Sequence, residues 1–291
     1  MIYMNFIKVF NLDLLPTRHK YRTIGDYYLS ITGSYVKKST TYEQPLNERV
    51  RTFLRLEHLF GIADHHNSQD SQWDSRITIS SLLEILDLIS RSDIKSDLIK
   101  ELERYTTTLD VLKSNPGVDL QRLNDILDNI SLYLGTLRDG DFQPGHNLKQ
   151  DELTASIKQR ISIPGGTCNF DLPAFHHWLH KPVQSRHEDL KIWRQDLSVI
   201  QDSLAIVLLM LRNSTTPVIE NAESGFYQQP IESKLSCQLI RVILSENCNY
   251  FPEISGGKHR FTIRFMEQPS TAARPVQTKN AVEFELHCCI L

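Results

Sequence analysis

The hydrophobic period of this chain changes near Pro217, and this change restricts the fold more than any other feature of the sequence. Between residues 46 and 211, apolar side chains recur every three or four positions, as on the buried side of α-helices. After Pro217, apolar residues alternate with polar ones, as in half-buried strands, in GFYQQ, KLSCQLIRVILS, HRFTIRFM and VEFELHCC. A run of helices followed by a run of strands predicts an α+β fold, with an N-terminal α-helical bundle domain and a small antiparallel β-rich domain.

The same patterns predict the domain boundaries. We expect a helical domain over residues 41–216 and a β-rich domain over residues 217–291. TTYEQ, at 40–44, also has strand character and is compatible with a fifth strand of the sheet. Residues 1–40 lack a clear period, and we interpret them as an N-terminal extension that is disordered or precedes the true start of translation.

Capping signals predict where some helices begin. Ser81 and Glu84 have the spacing of a capping box, which predicts a helix start at that point. Asp93 is the predicted N-cap of the next helix. The last helix of the bundle is predicted as one continuous element from about Glu188 to Leu211.

Composition excludes several classes of protein. The net charge of −3 argues against a polybasic nucleic-acid binder. The most apolar run, Ala205 to Leu211, is far shorter than the roughly 20 residues that a bilayer requires, so we expect no membrane insertion. Five cysteines without a C-x-x-C motif favour a reduced, cytoplasmic setting over a disulfide framework or a zinc knuckle.

Motifs for catalysis are weak. GGKHR resembles part of a phosphate-binding loop, but Pro252 and His259 occupy positions where that motif needs Gly and Ser or Thr. His176 and His180 have a spacing that can chelate a metal on a helix, but no third ligand is evident. We therefore predict neither enzymatic activity nor a cofactor, with a metal-dependent hydrolase built on these histidines as an alternative.

The strand candidate HRFTIRFM has two chemically different faces. Arg260 and Arg264 share one face and lie about 13 Å apart at the usual strand rise. Arg241, on another strand candidate, is predicted to extend this basic patch. Arginine forks suit carboxylates, so the patch predicts binding of a short peptide that carries acidic and apolar residues. The opposite face is apolar and predicted to be buried, and it consists of Phe261, Ile263 and Phe265.

Five segments resemble the ZapD family of bacterial cell division proteins, and with the intervening helices the resemblance covers residues 41–289. They are YEQPLNERVRTFLRLEHLF, KQRISIPGGTCNFDLPAFHHWLH, GFYQQ, FPEISGGKHRFTIRFM and VEFELHCC. The resemblance implies a helical domain and a β-rich domain assembled as a homodimer. It also implies a cytoplasmic protein at midcell that binds the C-terminal tail of FtsZ, bundles FtsZ protofilaments and promotes Z-ring assembly.

The resemblance also implies which residues contact the partner. The basic positions of the family fall on Arg260, Arg264, Lys258, Arg241, Arg51 and Arg55, with His176 in a further matching segment. Glu152 departs from a position where the family can carry arginine, so the resemblance implies no basic contact there. A general peptide-binding adaptor whose partner is not FtsZ is the alternative function.

Overall fold

The computed structural model describes residues 39–114, 118–231, 237–257 and 259–290. The predicted N-terminal extension therefore lies outside the described residues, except for its last two positions. The helices are α1 (Glu48–Asn67), α2 (Gln72–Arg91), α3 (Ile94–Leu112), α4 (Leu120–Arg138), α5 (His146–Gln150), α6 (Glu152–Arg160), α7 (Pro173–Leu179), α8 (Val183–Arg194) and α9 (Ser198–Arg212). No described helix has both the length and the apolar character needed to cross a membrane.

The start of α2 differs from the prediction. Ser71 is the N-cap, and its hydroxyl oxygen accepts a hydrogen bond of 3.1 Å from the backbone N–H of Asp74. Ser81 lies in the middle of this helix, where its hydroxyl donates to the carbonyl of Ile77. The capping box predicted at Ser81 is therefore wrong, because a buried hydroxyl can use the preceding turn of its own helix as its partner. The N-cap predicted at Asp93 is confirmed.

The end of the helical region is broken into two helices. A short 3-10 segment (Gln195–Leu197) separates α8 from α9, so the prediction of one continuous helix is wrong. Leu197, the last residue of the 3-10 segment, and Ile200, in the first turn of α9, are both buried. The 3-10 segment therefore interrupts the α-helix without exposing these two apolar residues.

The strands are β1 (Ser39–Pro45), β2 (Val218–Ala222), β3 (Phe226–Pro230), β4 (Cys237–Ser245), β5 (Tyr250–Gly256), β6 (Arg260–Glu267), β7 (Val276–Gln277) and β8 (Val282–Ile290). They form two antiparallel sheets. Sheet A has the order β1-β4-β8-β2, and sheet B has the order β3-β6-β5, with β7 also paired to β6. The predicted α+β class is confirmed, and the segment at 40–44 does pair with a strand. Sequence analysis missed β2, β5 and β7.

The helices, sheet A and sheet B are stacked in that order. Leu239 and Cys289 of sheet A contribute to the core shared with the helices. The opposite side of sheet A packs on Phe261, Ile263 and Phe265 of sheet B. The burial predicted for these three residues is confirmed, but sheet A, rather than the helical bundle, covers them.

A buried ion network joins the helices to sheet A. Arg212, at the end of α9, donates to the carboxylates of Glu43 on β1 and Glu57 on α1. Arg241 on β4 donates a further hydrogen bond of 2.8 Å to Glu43. Burial favours the neutral form of Glu43, but its hydrogen bonds and the charges of both arginines outweigh burial and lower the pKa of Glu43.

Candidate functional site

A strained turn positions one edge of sheet B. Ser224 and Gly225 both have positive φ angles, of 51° and 66°, between β2 of sheet A and β3 of sheet B. A Cβ on Gly225 would lie 2.6 Å from the carbonyl oxygen of Thr278, so only glycine fits this approach. The turn carries the chain from the edge of one sheet to the edge of the other and places Phe226 at the start of β3.

The side of sheet B that faces away from sheet A, called here the outer face, carries the two predicted arginines. Arg260 and Arg264 are both exposed on β6, while the residues that alternate with them are buried. Neither arginine forms an ion pair with another described residue. Both guanidinium groups are therefore available to a ligand, as the alternation predicted.

The two strands that flank β6 present different neighbours to these arginines. Arg264 lies opposite Glu253 on β5 and opposite Phe226 on β3, and the side chain of Phe226 is 40% exposed. Arg260 lies opposite Pro230 on β3. Side chains at such directly paired positions are about 5 Å apart at Cβ. The outer face thus combines cationic and apolar groups, and sequence analysis did not single out Phe226 or Glu253, although Phe226 lies within the GFYQQ strand candidate.

Arg241 does not extend this face. Its strand, β4, belongs to sheet A, and its side chain is only 18% exposed within the ion network with Glu43. Leu239, two residues before it, packs in the core shared with the helices. The prediction that Arg241 extends the patch of Arg260 and Arg264 is therefore wrong in its geometry, because the two strands lie in different sheets.

Two further predicted arginines lie on α1. Arg51 is paired with Glu48 at 3.1 Å, and Arg55 is exposed one turn later. Leu46, just before α1, packs against Gly256 at the end of β5. The start of α1 therefore lies beside the turn that leads into β6. Lys258, which the family resemblance implies as a partner contact, lies outside the described residues.

His176 and Glu152, the residue that departs from the family pattern, both lie on helices. His176 is exposed on α7, with its ring 4.3 Å from that of His180, and the Nδ1 of His180 is 2.8 Å from the carbonyl oxygen of His176. Among the described residues, no group of three or more His, Cys, Asp or Glu side chains is arranged to hold a metal ion. Glu152 is exposed in the first turn of α6.

The architecture and the outer face define an α+β protein with an exposed, arginine-bearing sheet. A family model described as "ZapD: Cell division protein" matches residues 54–264. The chain therefore belongs to the ZapD family of cell division proteins.

Curated relatives match almost over their full length. The chain is 40% identical over 256 residues to "Cell division protein ZapD" of Methylococcus capsulatus, covering 88% of this chain and 100% of the relative. It is 41% identical over 250 residues to the protein of the same name from Nitrosomonas eutropha, covering 86% and 99% of the two chains. The protein of that name from Coxiella burnetii is 37% identical over 257 residues, with coverage of 87% and 99%. A role in cell division follows from this membership.

Proposed function

We propose that this protein binds the C-terminal tail of FtsZ as a homodimer, cross-links and bundles FtsZ protofilaments, and promotes Z-ring assembly at midcell in the cytoplasm. The observation that carries the proposal is the exposure of Arg260 and Arg264 on the outer face, without an ion pair to another described residue. The resemblance of the HRFTIRFM segment to the family implies that these two positions contact the partner. No catalytic step or cofactor is part of this function.

The chemistry of the outer face suits a short tail that mixes acids with apolar residues. Guanidinium groups form charge-assisted hydrogen bonds with carboxylates, and Phe226 offers an apolar contact beside Arg264. An exposed charged contact is weak by itself and is screened by salt. A dimer with two sites gains avidity from the many tails along a filament, so weak individual contacts are sufficient for bundling.

Co-sedimentation with FtsZ and GTP tests this function. Full-length FtsZ is compared with FtsZ that lacks its C-terminal tail, at low and at high salt. We expect bundling only when the tail is present, and less bundling at high salt. Bundling that is independent of the tail would contradict the assignment, and absence of bundling with either FtsZ would favour an adaptor for another peptide.

A further inference from the structure

We propose that Cys237 and Cys288 are a redox-sensitive pair of thiols, which oxidised glutathione converts into an intramolecular disulfide between β4 and β8. The pair is a modification site within the β-rich domain and does not depend on which partner the protein binds. All five cysteines lie in the described part of the chain and carry free thiols. The disulfide is therefore a product of oxidising conditions and not part of the resting fold.

A β-bulge brings the two side chains to the same side of sheet A. Cys237 and Leu239 are two residues apart on β4 and would share one side of a regular strand. The register of β4 against β8 shifts between these two residues, which marks the bulge. Leu239 packs in the core shared with the helices, whereas Cys237 packs on the core between the two sheets, as Cys288 does. The bulge thus turns Cys237 toward Cys288.

The two thiols are in direct contact. Cys288 lies opposite Ile240, and Cys237 lies opposite Ile290, so the two cysteines are diagonal neighbours across the strand pair. Their side chains form a hydrogen bond, and both are only partly buried. Because the bulge at the start of β4 already departs from the regular ladder, the small backbone adjustment that disulfide geometry requires breaks few hydrogen bonds there.

The hydrogen bond between the thiols assigns a role to each of them. When the S–H of Cys237 donates to the sulfur of Cys288, it stabilises the Cys288 thiolate and lowers the pKa of Cys288, although burial and the carboxylate of Glu220 raise it. The same hydrogen bond, together with burial, raises the pKa of Cys237. Since the thiolate is the nucleophile in disulfide exchange, Cys288 attacks first and Cys237 is the resolving thiol.

The exchange with oxidised glutathione has two balanced steps. The Cys288 thiolate attacks one sulfur of the glutathione disulfide, so that a bond forms between Cys288 and one glutathione while the other leaves as a thiolate. Cys237 then loses its proton and attacks the Cys288 sulfur, and the second glutathione leaves as a thiolate. Each released thiolate takes up the proton that one cysteine gave up. Two cysteine thiols are oxidised, and one glutathione disulfide is reduced to two thiols.

The other three cysteines differ from the pair in their surroundings. Cys289 is buried on the opposite side of β8, in the core shared with the helices, and burial raises the pKa of its thiol to about 12. Cys168 lies between α6 and α7, where its thiol donates to the carboxylate of Asp171 at 3.3 Å. Cys248 lies between β4 and β5. We therefore expect these three thiols to remain unlinked.

The disulfide encloses the strand that carries the outer-face arginines. Cys237 is the first residue of β4, and Cys288 lies near the end of β8. The segment between them contains β5, β6 and β7. A covalent link across a loop of this length restricts the unfolded chain, so oxidation is expected to stabilise the β-rich domain.

Oxidation of the full chain with glutathione disulfide tests the pair directly. Free thiols are then blocked with N-ethylmaleimide, and peptides are mapped by mass spectrometry without reduction. We expect a disulfide between the peptide of Cys237 and the peptide of Cys288, with Cys168 and Cys248 carrying maleimide. Maleimide on both Cys237 and Cys288, or a disulfide to another cysteine in their place, would overturn the inference.

Three variants separate the roles of the cysteines, and circular dichroism checks that each is folded. Cys237→Ser should stop the exchange at a glutathione adduct on Cys288, because the resolving thiol is missing. Cys288→Ser should show neither the cross-link nor rapid modification of Cys237. Cys289→Ala is the matched control on the adjacent residue and should retain the cross-link. A cross-link in Cys288→Ser, or its loss in the folded Cys289→Ala variant, would overturn the pairing.

Thermal unfolding measures the consequence of the link. We expect the midpoint of the oxidised protein to exceed that of the reduced protein by about 5 °C or more. Cys237→Ser, treated in the same way, should show no such rise. Equal midpoints of the fully cross-linked and the reduced protein would overturn the stabilising role of the disulfide.

Discussion

The guanidinium of Arg212 donates two hydrogen bonds of 2.8 Å to the carboxylate of Glu43, and this pair ties the last helix to the first strand. Glu57 and Arg241 complete the network from α1 and β4. Because these residues come from four elements, the network fixes the helices against sheet A. Sheet A in turn supports the sheet that carries the outer face.

We expect Glu43→Gln to lower the free energy of unfolding by about 3 kcal/mol at pH 7. This is near the lower end for a broken buried ion pair, because Arg212 retains its ion pair with Glu57. The pKa of Glu43 in the folded protein lies below its ordinary value of 4.5. The stability that the ionised carboxylate contributes is therefore fully present above about pH 4.5 and is lost as the pH falls through the folded pKa. Urea unfolding at pH 7 and at acid pH measures this difference.

The control for this prediction is Glu283→Gln on β8, an exposed carboxylate of the same sheet, which we expect to change stability by about 0.5 kcal/mol or less. Equal effects of the two substitutions at pH 7 would show that the network contributes nothing particular to stability. A Glu43→Gln effect that persists unchanged below the folded pKa would contradict the ionic origin.

We expect Arg260→Glu/Arg264→Glu to leave a folded dimer that no longer bundles FtsZ filaments, because both exposed cations of the outer face become anions that repel the acidic tail. Co-sedimentation measures bundling, and analytical ultracentrifugation checks the dimer. The matched control is Lys100→Glu/Lys191→Glu, which makes the same change in net charge at two exposed positions on α3 and α8. Equal loss of bundling in both variants would show that net charge causes the effect. Undiminished bundling in Arg260→Glu/Arg264→Glu would show that the outer face does not bind the tail.

Arg241→Ala distinguishes a structural arginine from a binding one. We expect a lower free energy of unfolding, since Arg241 is mostly buried and donates to Glu43. Thermal unfolding measures stability, and anisotropy with the tail peptide measures affinity well below the transition. A folded variant with normal stability and weakened tail binding would instead place Arg241 in the binding site, as the family resemblance implies.

Phe261→Ala tests the core between the two sheets. The ring of Phe261 is 1% exposed, so its removal is expected to cost about 3–5 kcal/mol of unfolding free energy. Phe226, 40% exposed on the neighbouring strand, is the comparison, and Phe226→Ala should cost about 1 kcal/mol or less. Chemical denaturation of both variants measures the difference in their free energies of unfolding. Similar losses of unfolding free energy would mean that burial of the side of sheet B that packs on sheet A does not stabilise sheet B.

Local sequence signals predicted much of the fold. They failed where the same residue suits two local structures, such as a helix N-cap and a helix interior. Asp93 was recognisable as an N-cap because it precedes a long amphipathic run. Ser81 has equally good capping chemistry, but α2 continues through it and is capped by Ser71. Strand β5 was missed because Pro252 interrupts its pattern, although an edge strand tolerates proline when no partner requires its N–H.

The sequence by itself determined that a run of helices precedes the strands after Pro217 and that Arg260 and Arg264 share one side of β6, because hydrophobic period is a local property. Only the tertiary structure decided what each face meets. Arg241 and Arg264 both lie on amphipathic strands, yet the first joins a buried ion network and the second faces outward. The difference arises because strand pairing and sheet stacking depend on contacts between residues far apart in the chain, which no local period records.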